Sequence, residues 1–162
     1  MNIRTYESGD AQELMQLFYD TVHEVNIRDY TPEQVNAWAP ANMSIEAWSK
    51  GFENRFVYVV EEKGTIAGFG ELEANGHIAR FFCHKDFQRQ GVGSAILNQI
   101  ELKAKSLGLH RLFTEASITA KPFFERKGFV VLCREEVGRR GQRLPRFQME
   151  KAIGKGEGGV ES

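Results

Sequence analysis

From His77 to Cys83 the chain reads HIARFFC, a run rich in Ile and Phe that predicts a buried strand. From Gly93 onward the apolar residues fall at Leu97, Ile100, Ala104 and Leu107, one face of a helix, and Gly108 stands where a helix ends. Between them lies Gln88-Arg89-Gln90-Gly91-Val92-Gly93-Ser94, two glycines in a turn with no acidic residue from Gln88 to Gln99. The rest of the chain is arranged around this strand, turn and helix.

Upstream, Asn2 to Tyr6 predicts a short strand. Asp10 and Glu13 have the spacing of a capping box, and Leu14, Leu17, Phe18, Thr21 and Val25 form one helical face. Thr31, Pro32 and Gln34 open a second helix, which carries Val35 and Trp38 and stops before Pro40. Ser44 caps a short third one with Ile45 and Trp48. Phe56 to Glu61 and Thr65 to Ala74 are strands joined at Lys63-Gly64, and Asn75-Gly76 is a hairpin signal leading into the His77 strand. Gly68 and Gly70, inside a strand, mark a close approach by backbone or ligand.

Downstream, Arg111 to Ala116 is a strand, Thr119 caps a short helix that ends at Lys127 and Gly128, and Phe129 to Glu136 and Arg143 to Glu150 are the last two strands. The basic stretch Gly138-Arg139-Arg140-Gly141-Gln142 is expected as a solvated loop tip. The order β-α-α-β-β-β-α-β-α-β-β predicts an α+β domain, with a mostly antiparallel twisted sheet and helices on both faces. Residues 1–152 are expected as a single domain and 153–162 as a flexible tail.

A strand that feeds a helix through such a turn aims several backbone N–H groups at one spot. The helix dipole adds about half a positive charge there. That suits a phosphate or pyrophosphate, although a turn that needs Gly only for its backbone would look the same. The chain has no G-x-x-x-x-G-K-[ST] and lacks the three-glycine dinucleotide spacing.

Composition narrows the classes. The 162 residues are 41% hydrophobic and 27% charged, which suits one globular core. A formal net charge of −1 gives no field that would favour nucleic acid or an anionic membrane. There is no long apolar run and no leader-like start, so a cytoplasmic protein is expected. Cys83 and Cys133 sit in apolar runs and are expected as buried free thiols. No Cys or His spacing suggests a metal.

Gln88-x-x-Gly91-x-Gly93 resembles the Q/R-x-x-G-x-G/A signature of the GCN5-related N-acetyltransferase (GNAT) family. Phe81-Phe82-Cys83-His84 resembles that family's strand beside the cofactor, and the stretch from Ala120 to Phe129 its later helix-to-strand motif. The two motifs stand in the family's order, and the resemblance covers residues 1–152. It implies a GNAT-like sheet of about seven strands. It also implies transfer of an acetyl group from acetyl-coenzyme A to a primary amine of a small molecule or peptide, with no metal. The alternative is a non-catalytic acyl-coenzyme A binder or sensor. Monomer and homodimer both stay open, since an exposed last strand could pair with a second copy.

By the same resemblance, Gln88, Arg89, Gln90, Gly91, Val92, Gly93 and Ser94 would hold the pyrophosphate, and the backbone edge of Phe82 and Cys83 the pantetheine arm. Ser117 stands where the family often has an Asn touching the cofactor. Many relatives place a proton-donating Tyr where this chain has Phe124, which cannot donate but could pack against the pantetheine. The acceptor amine needs a base, and a carboxylate on the strands beside the cofactor often fills that role. Glu73 and Glu71, two apart and so on one strand face, are the favoured candidates, with His77, His84 and Glu115 also possible. Tyr30 and Trp38 fall in the helical region that forms one wall of the family's acceptor pocket, or they simply pack on the core.

Overall fold

The computed structural model describes residues 1–154; the remainder of the expected tail, 155–162, lies outside the described residues. Seven strands form one sheet: β1 (Asn2–Thr5), β2 (Arg55–Glu62), β3 (Thr65–Glu73), β4 (His77–Cys83), β5 (Arg111–Ser117), β6 (Val130–Arg139) and β7 (Gln142–Ala152). Their spatial order is β1-β2-β3-β4-β5-β7-β6, and every pairing is antiparallel except β4 with β5. The helices are α1 (Ala11–Glu24), α2 (Pro32–Trp38), α3 (Ile45–Ser49), α4 (Val92–Ser106) and α5 (Lys121–Arg126). This is the expected α+β architecture with helices on both faces. None of the described helices is long and apolar enough to cross a membrane.

On one face α4 packs Ile96, Leu97 and Ile100 against Tyr58, Leu72, Ile78, Leu112 and Met149, with Phe124 of α5 beside them. On the other, α1 sets Leu14 and Leu17 on Val57, Val59, Ile66 and Phe69. Gly68 and Gly70 serve the first of these contacts. A Cβ at Gly68 would fall 2.6 Å from Val92 Cγ1, and one at Gly70 2.5 Å from Ile96 Cγ2. The close approach there is by helix side chains, and it lets α4 lie low on β3.

Local signals held where they concern one turn of chain. Thr31 and Gln34 form their reciprocal capping box with Pro32 at the first helical position, and Ser44 accepts from the Ala47 amide. Four expectations fail for tertiary reasons. Asp10 does not box with Glu13: its carboxylate takes the Glu7 amide and a two-toothed grip from Arg4, while Glu13 accepts from the Ile66 amide. Thr119 does not cap α5, because its hydroxyl bonds Asp29 instead. Cys133 is exposed, since β6 is the outer strand. The last strand, β7, is not an edge: it inserts between β5 and β6.

One feature of the sheet positions the cleft. The parallel pairing of β4 with β5 covers only His77–Phe113 and Ile78–Thr114. Beyond Ile78 the two strands diverge, and β4 bulges, so that Ile78 and Phe81 face Leu72 and Gly70 of β3. The turn that delivers β4 to this pairing is tight. Gly76 has φ +99°, its carbonyl accepts the Phe113 amide, and a Cβ there would overlap the Arg111 carbonyl oxygen. Gly76→Ala therefore combines left-handed strain with a backbone clash, and we expect a loss of about 2–4 kcal/mol in urea denaturation.

Candidate functional site

The divergence of β4 from β5 opens a cleft of about 630 Å³ across the sheet. Its floor is formed by β4 and β5, and its outer wall by α2, α3 and the β6–β7 hairpin.

The edge of β4 that faces β5 is unpaired beyond Ile78. His84 N–H donates to the Ala67 carbonyl, and Phe82 O lies against Gly68, so the even positions of this stretch turn toward β3. By alternation, the N–H and C=O groups of Phe81 and Cys83 turn the other way, toward the cleft side. This differs from the expected pair, Phe82 and Cys83, by one residue. Phe82 contributes its ring, which lines the cleft and packs edge-on against Phe18. The Cys83 carbonyl accepts from Thr21 Oγ1 and Gln88 Nε2, both at 2.9 Å, which ties α1 and the glycine turn to the end of β4. Gln88 thus spends its side chain as a brace.

The turn after β4 carries two left-handed residues, Arg89 at φ +62° and Gly91 at φ +84°. Among the described residues no oxygen accepts from the amides of Arg89, Gln90, Gly91, Val92 or Ser94. They sit at the front of the 15-residue α4, where the dipole is positive. Val92 is buried and offers only its backbone, whereas Arg89 and Gln90 are exposed. Gly93 is required: a Cβ there would press on the Phe123 ring at 3.0 Å. The Gly93 amide bonds to Cys83 sulfur, and burial pushes that thiol up to about 11, so it stays protonated.

Across the cleft floor runs a continuous chain of polar contacts on one face of four strands. Arg80 Nε bonds Glu71 Oε2 at 2.7 Å, and Glu71 Oε1 meets Arg55 Nη1 at 2.5 Å. Arg55 Nε bonds Glu73 Oε2 at 3.0 Å, and Glu73 Oε1 reaches His77 Nδ1 at 2.8 Å. His77 Nε2 then meets Glu115 Oε1 at 2.8 Å, joining β4 to β5 where their ladder ends. Of these, Arg80, Arg55, His77 and Glu115 line the cleft. Arg80 also stacks over Trp48 at 4.1 Å and donates to its carbonyl, which seats α3 on the sheet.

The two carboxylates favoured from sequence differ in their surroundings. Glu71 is completely buried with both oxygens held by guanidinium groups. Burial pushes its carboxyl up, and the two arginines oppose this. Glu73 is partly exposed, and hydrogen bonds and charge from His77 and Arg55 win over its burial to hold it below the usual range. Glu115 is lowered by its bond to His77. His77 is raised above its ordinary value, first by the Glu115 bond and then by Glu73 against its own burial. The sequence could not single out the His77–Glu115 contact, because 38 residues separate the partners.

The remaining candidates line the cleft while serving the fold. Tyr30 hydroxyl donates to the Pro145 carbonyl at 2.7 Å and accepts from the Ile118 amide at 2.9 Å. Trp38 sits edge-on to Tyr30. Ser117 Oγ accepts from the Ala120 amide, fixing the turn into α5. Phe124 is 2% exposed among Phe81, Phe123 and Phe129, and still reaches the cleft lining. Among the described residues no His, Cys, Asp and Glu group could hold a metal ion.

Two outcomes follow from the polar chain. Glu71→Gln leaves Arg80 buried without a counter-charge, and we expect it to cost about 3 kcal/mol in chemical denaturation. For His77 the sign is set by its raised folded-state pKa. Its contribution to stability is complete below the unfolded value near 6.5 and is lost as pH rises through the higher folded value. Glu115→Gln should bring the imidazole titration, followed by NMR, back toward 6.5 and shrink that pH dependence.

These elements have counterparts in known proteins. The model of the Acetyltransferase (GNAT) domain family matches residues 26–152. An N-acetyltransferase of Escherichia coli K12, YafP, is 34% identical over 150 residues, covering 92% of this chain and 94% of its own. The GCN5-related N-acetyltransferase from Rhodopseudomonas palustris superposes with a TM-score of 0.90 at 26% identity, over 94% of this chain and 95% of that one. The PaiA N-acetyltransferase from Thermoplasma acidophilum, solved in complex with coenzyme A, shares the fold at a TM-score of 0.71 and 18% identity, over 94% of this chain and all of that one. A splayed sheet with free amides at the front of the following helix is thus accompanied by a family match over most of the sequence, and this chain belongs to the GNAT family and is an N-acetyltransferase.

Proposed function

We propose that the chain moves an acetyl group from acetyl-coenzyme A directly to a primary amine of a small molecule or peptide. The observation that carries this reading is geometric. Unpartnered amides at the front of α4 are continuous with the free backbone edge of β4, and both open onto one cleft. The Thermoplasma relative of the same fold holds coenzyme A, which supports the donor.

In this reading the amides of Arg89, Gln90, Gly91, Val92 and Ser94 hold the pyrophosphate, and Arg89 adds charge from outside. Gln88 and Gly93 shape the turn. The pantetheine arm adds to the edge of β4 as an extra strand, bonding the Phe81 backbone and the Cys83 amide, with the rings of Phe82 and Phe124 beside it. Ser117 closes the far side of the opening.

The acceptor enters from the wall formed by Tyr30 and Trp38. An alkylamine arrives mostly protonated, since its pKa lies near 10.4. Glu115 meets it from the cleft floor, oriented by His77, with Glu73 holding the other imidazole nitrogen. The carboxylate first takes one proton from the ammonium and passes it to water, which frees the nitrogen lone pair for attack; it takes a second as the C–N bond forms, when the nitrogen becomes strongly acidic. Glu71 acts as a positioning group that fixes Arg55 and Arg80. The C–S bond breaks as the tetrahedral intermediate collapses, and Phe124 supplies no proton. A thiol with a pKa near 8.5 leaves as the thiolate and is protonated by water.

Calorimetry with coenzyme A and thiol release with a panel of amines test the reading together. Arg89→Ala should weaken coenzyme A by about 1–2 kcal/mol. Gly91→Glu, which adds bulk and negative charge at a left-handed position, should abolish binding while the chain stays folded by circular dichroism. Wild-type protein without affinity for coenzyme A would end the proposal.

A further inference from the structure

We propose that the acceptor is an amine that also carries a carboxylate-type anion on an apolar body, with the anion held by Arg139 and Arg140 at the mouth of the cleft. This rests on the acetyl-transfer reading and names its acceptor class. Five arginines line the cleft: Arg55, Arg80, Arg139, Arg140 and Arg146. Three of them are matched. Arg55 and Arg80 share Glu71, Arg55 also holds Glu73, and Arg146 bonds Glu135 at 2.6 Å. Among the described residues no carboxylate lies within salt-bridge distance of Arg139 or Arg140. The carboxylate that lines the same cleft, Glu115, is already bridged to His77 across the floor. The charges of the floor are therefore paired with one another, and the excess of cation lies at the mouth. An acceptor with only an ammonium group would meet that excess as repulsion.

The backbone at the mouth supports a role for Arg140. Arg139 faces Gln142 in the β6–β7 register, so the hairpin turn is Arg140-Gly141. Both turn residues have positive φ, +44° and +83°. Asn or Gly is the usual occupant of the first of these positions, and an arginine there is held in a conformation its side chain disfavours. Its Nη1 donates to the Ala37 carbonyl at the end of α2 at 2.5 Å, which ties this exposed guanidinium to the cleft wall. One guanidinium nitrogen is thereby anchored and the others are left to bind. The stretch is exposed, as expected of a solvated loop tip, and it also borders the cleft. Between this cationic mouth and Glu115 the wall is aromatic, formed by Phe18, Trp38, Trp48 and Phe82. An apolar side chain between the amine and the anion fits that surface.

The test compares two product-like ligands that differ only in charge and carry a ring between the two groups, N-acetyl-4-(aminomethyl)benzoate and N-acetyl-4-(aminomethyl)benzamide, titrated into the full chain by calorimetry with and without coenzyme A. The carboxylate should bind about tenfold more tightly than the amide, the ratio worth one charge-assisted hydrogen bond, and salt should shrink the difference. Arg140→Asn suits the turn and should keep the melting temperature, yet remove most of that preference; Arg139→Ala should remove part of it. In turnover, 4-(aminomethyl)benzoate should outrun 4-(aminomethyl)benzamide through KM, with kcat little changed, and Arg140→Asn should raise that KM. Equal binding of the two ligands, no binding of either, or a preference that survives both substitutions overturns the proposal. Acetyl transfer itself is judged separately, by coenzyme A binding and thiol release. The charge preference is read on the chain without coenzyme A, so the two failures are distinct.

Discussion

The structure depends on a ladder that stops. Two parallel pairs join β4 to β5, and then the strands part. A sheet that parts in its middle exposes backbone donors and acceptors that would normally cost free energy if left dry. Here the exposed edge of β4 borders a cleft, and its end is braced by Thr21 and Gln88 on the Cys83 carbonyl. The opening is held at its vertex by Thr114 Oγ1 on the Ile78 carbonyl and by His77 on Glu115. Below the vertex the sheet is continuous and buried. Above it the two halves are joined through helices α1 and α2 and the β6–β7 hairpin.

Charge is distributed to match. Arg80, Glu71, Arg55, Glu73, His77 and Glu115 alternate in sign along the cleft floor, so each buried charge has a neighbour of the other sign. The effect is to rigidify the one region where hydrogen bonds between strands are missing. The same chain links α3 to β5 through Arg80 and Trp48, which ties the acceptor wall to the floor. α4, by contrast, packs mainly through apolar contacts on its sheet face, with the Glu101–Lys151 ion pair at its margin. It approaches closely because Gly68 and Gly70 carry no side chain.

Much of the frame could be read residue by residue. The helix starts at Thr31 and Ser44, the turns at Lys63-Gly64 and Asn75-Gly76, and the strand–turn–helix around Gly91 all follow from interactions between residues a few positions apart. The readings that failed involve residues whose partner lies far along the chain. Asp10 could satisfy Glu13's spacing, but Arg4 offered a bidentate charge. Thr119 could cap α5, but its hydroxyl donates to Asp29 instead. The basic hairpin is the exposed loop tip that its polar sequence suggests, and only the fold shows that it is tied to α2 at the edge of the cleft.

The amino-acid sequence alone determined the order of elements, the anion-suited turn and the family resemblance, because periodicity, caps and glycine positions are short-range properties of the chain. Only the folded structure decided which carboxylate lines the cleft, that Phe81 and not Phe82 turns its backbone to the open edge, and that two arginines stand unmatched at the mouth. Those facts depend on strand register and on contacts across 38 or more residues. A one-residue change of register exchanges the two sides of a strand, and nothing in the local sequence forbids it.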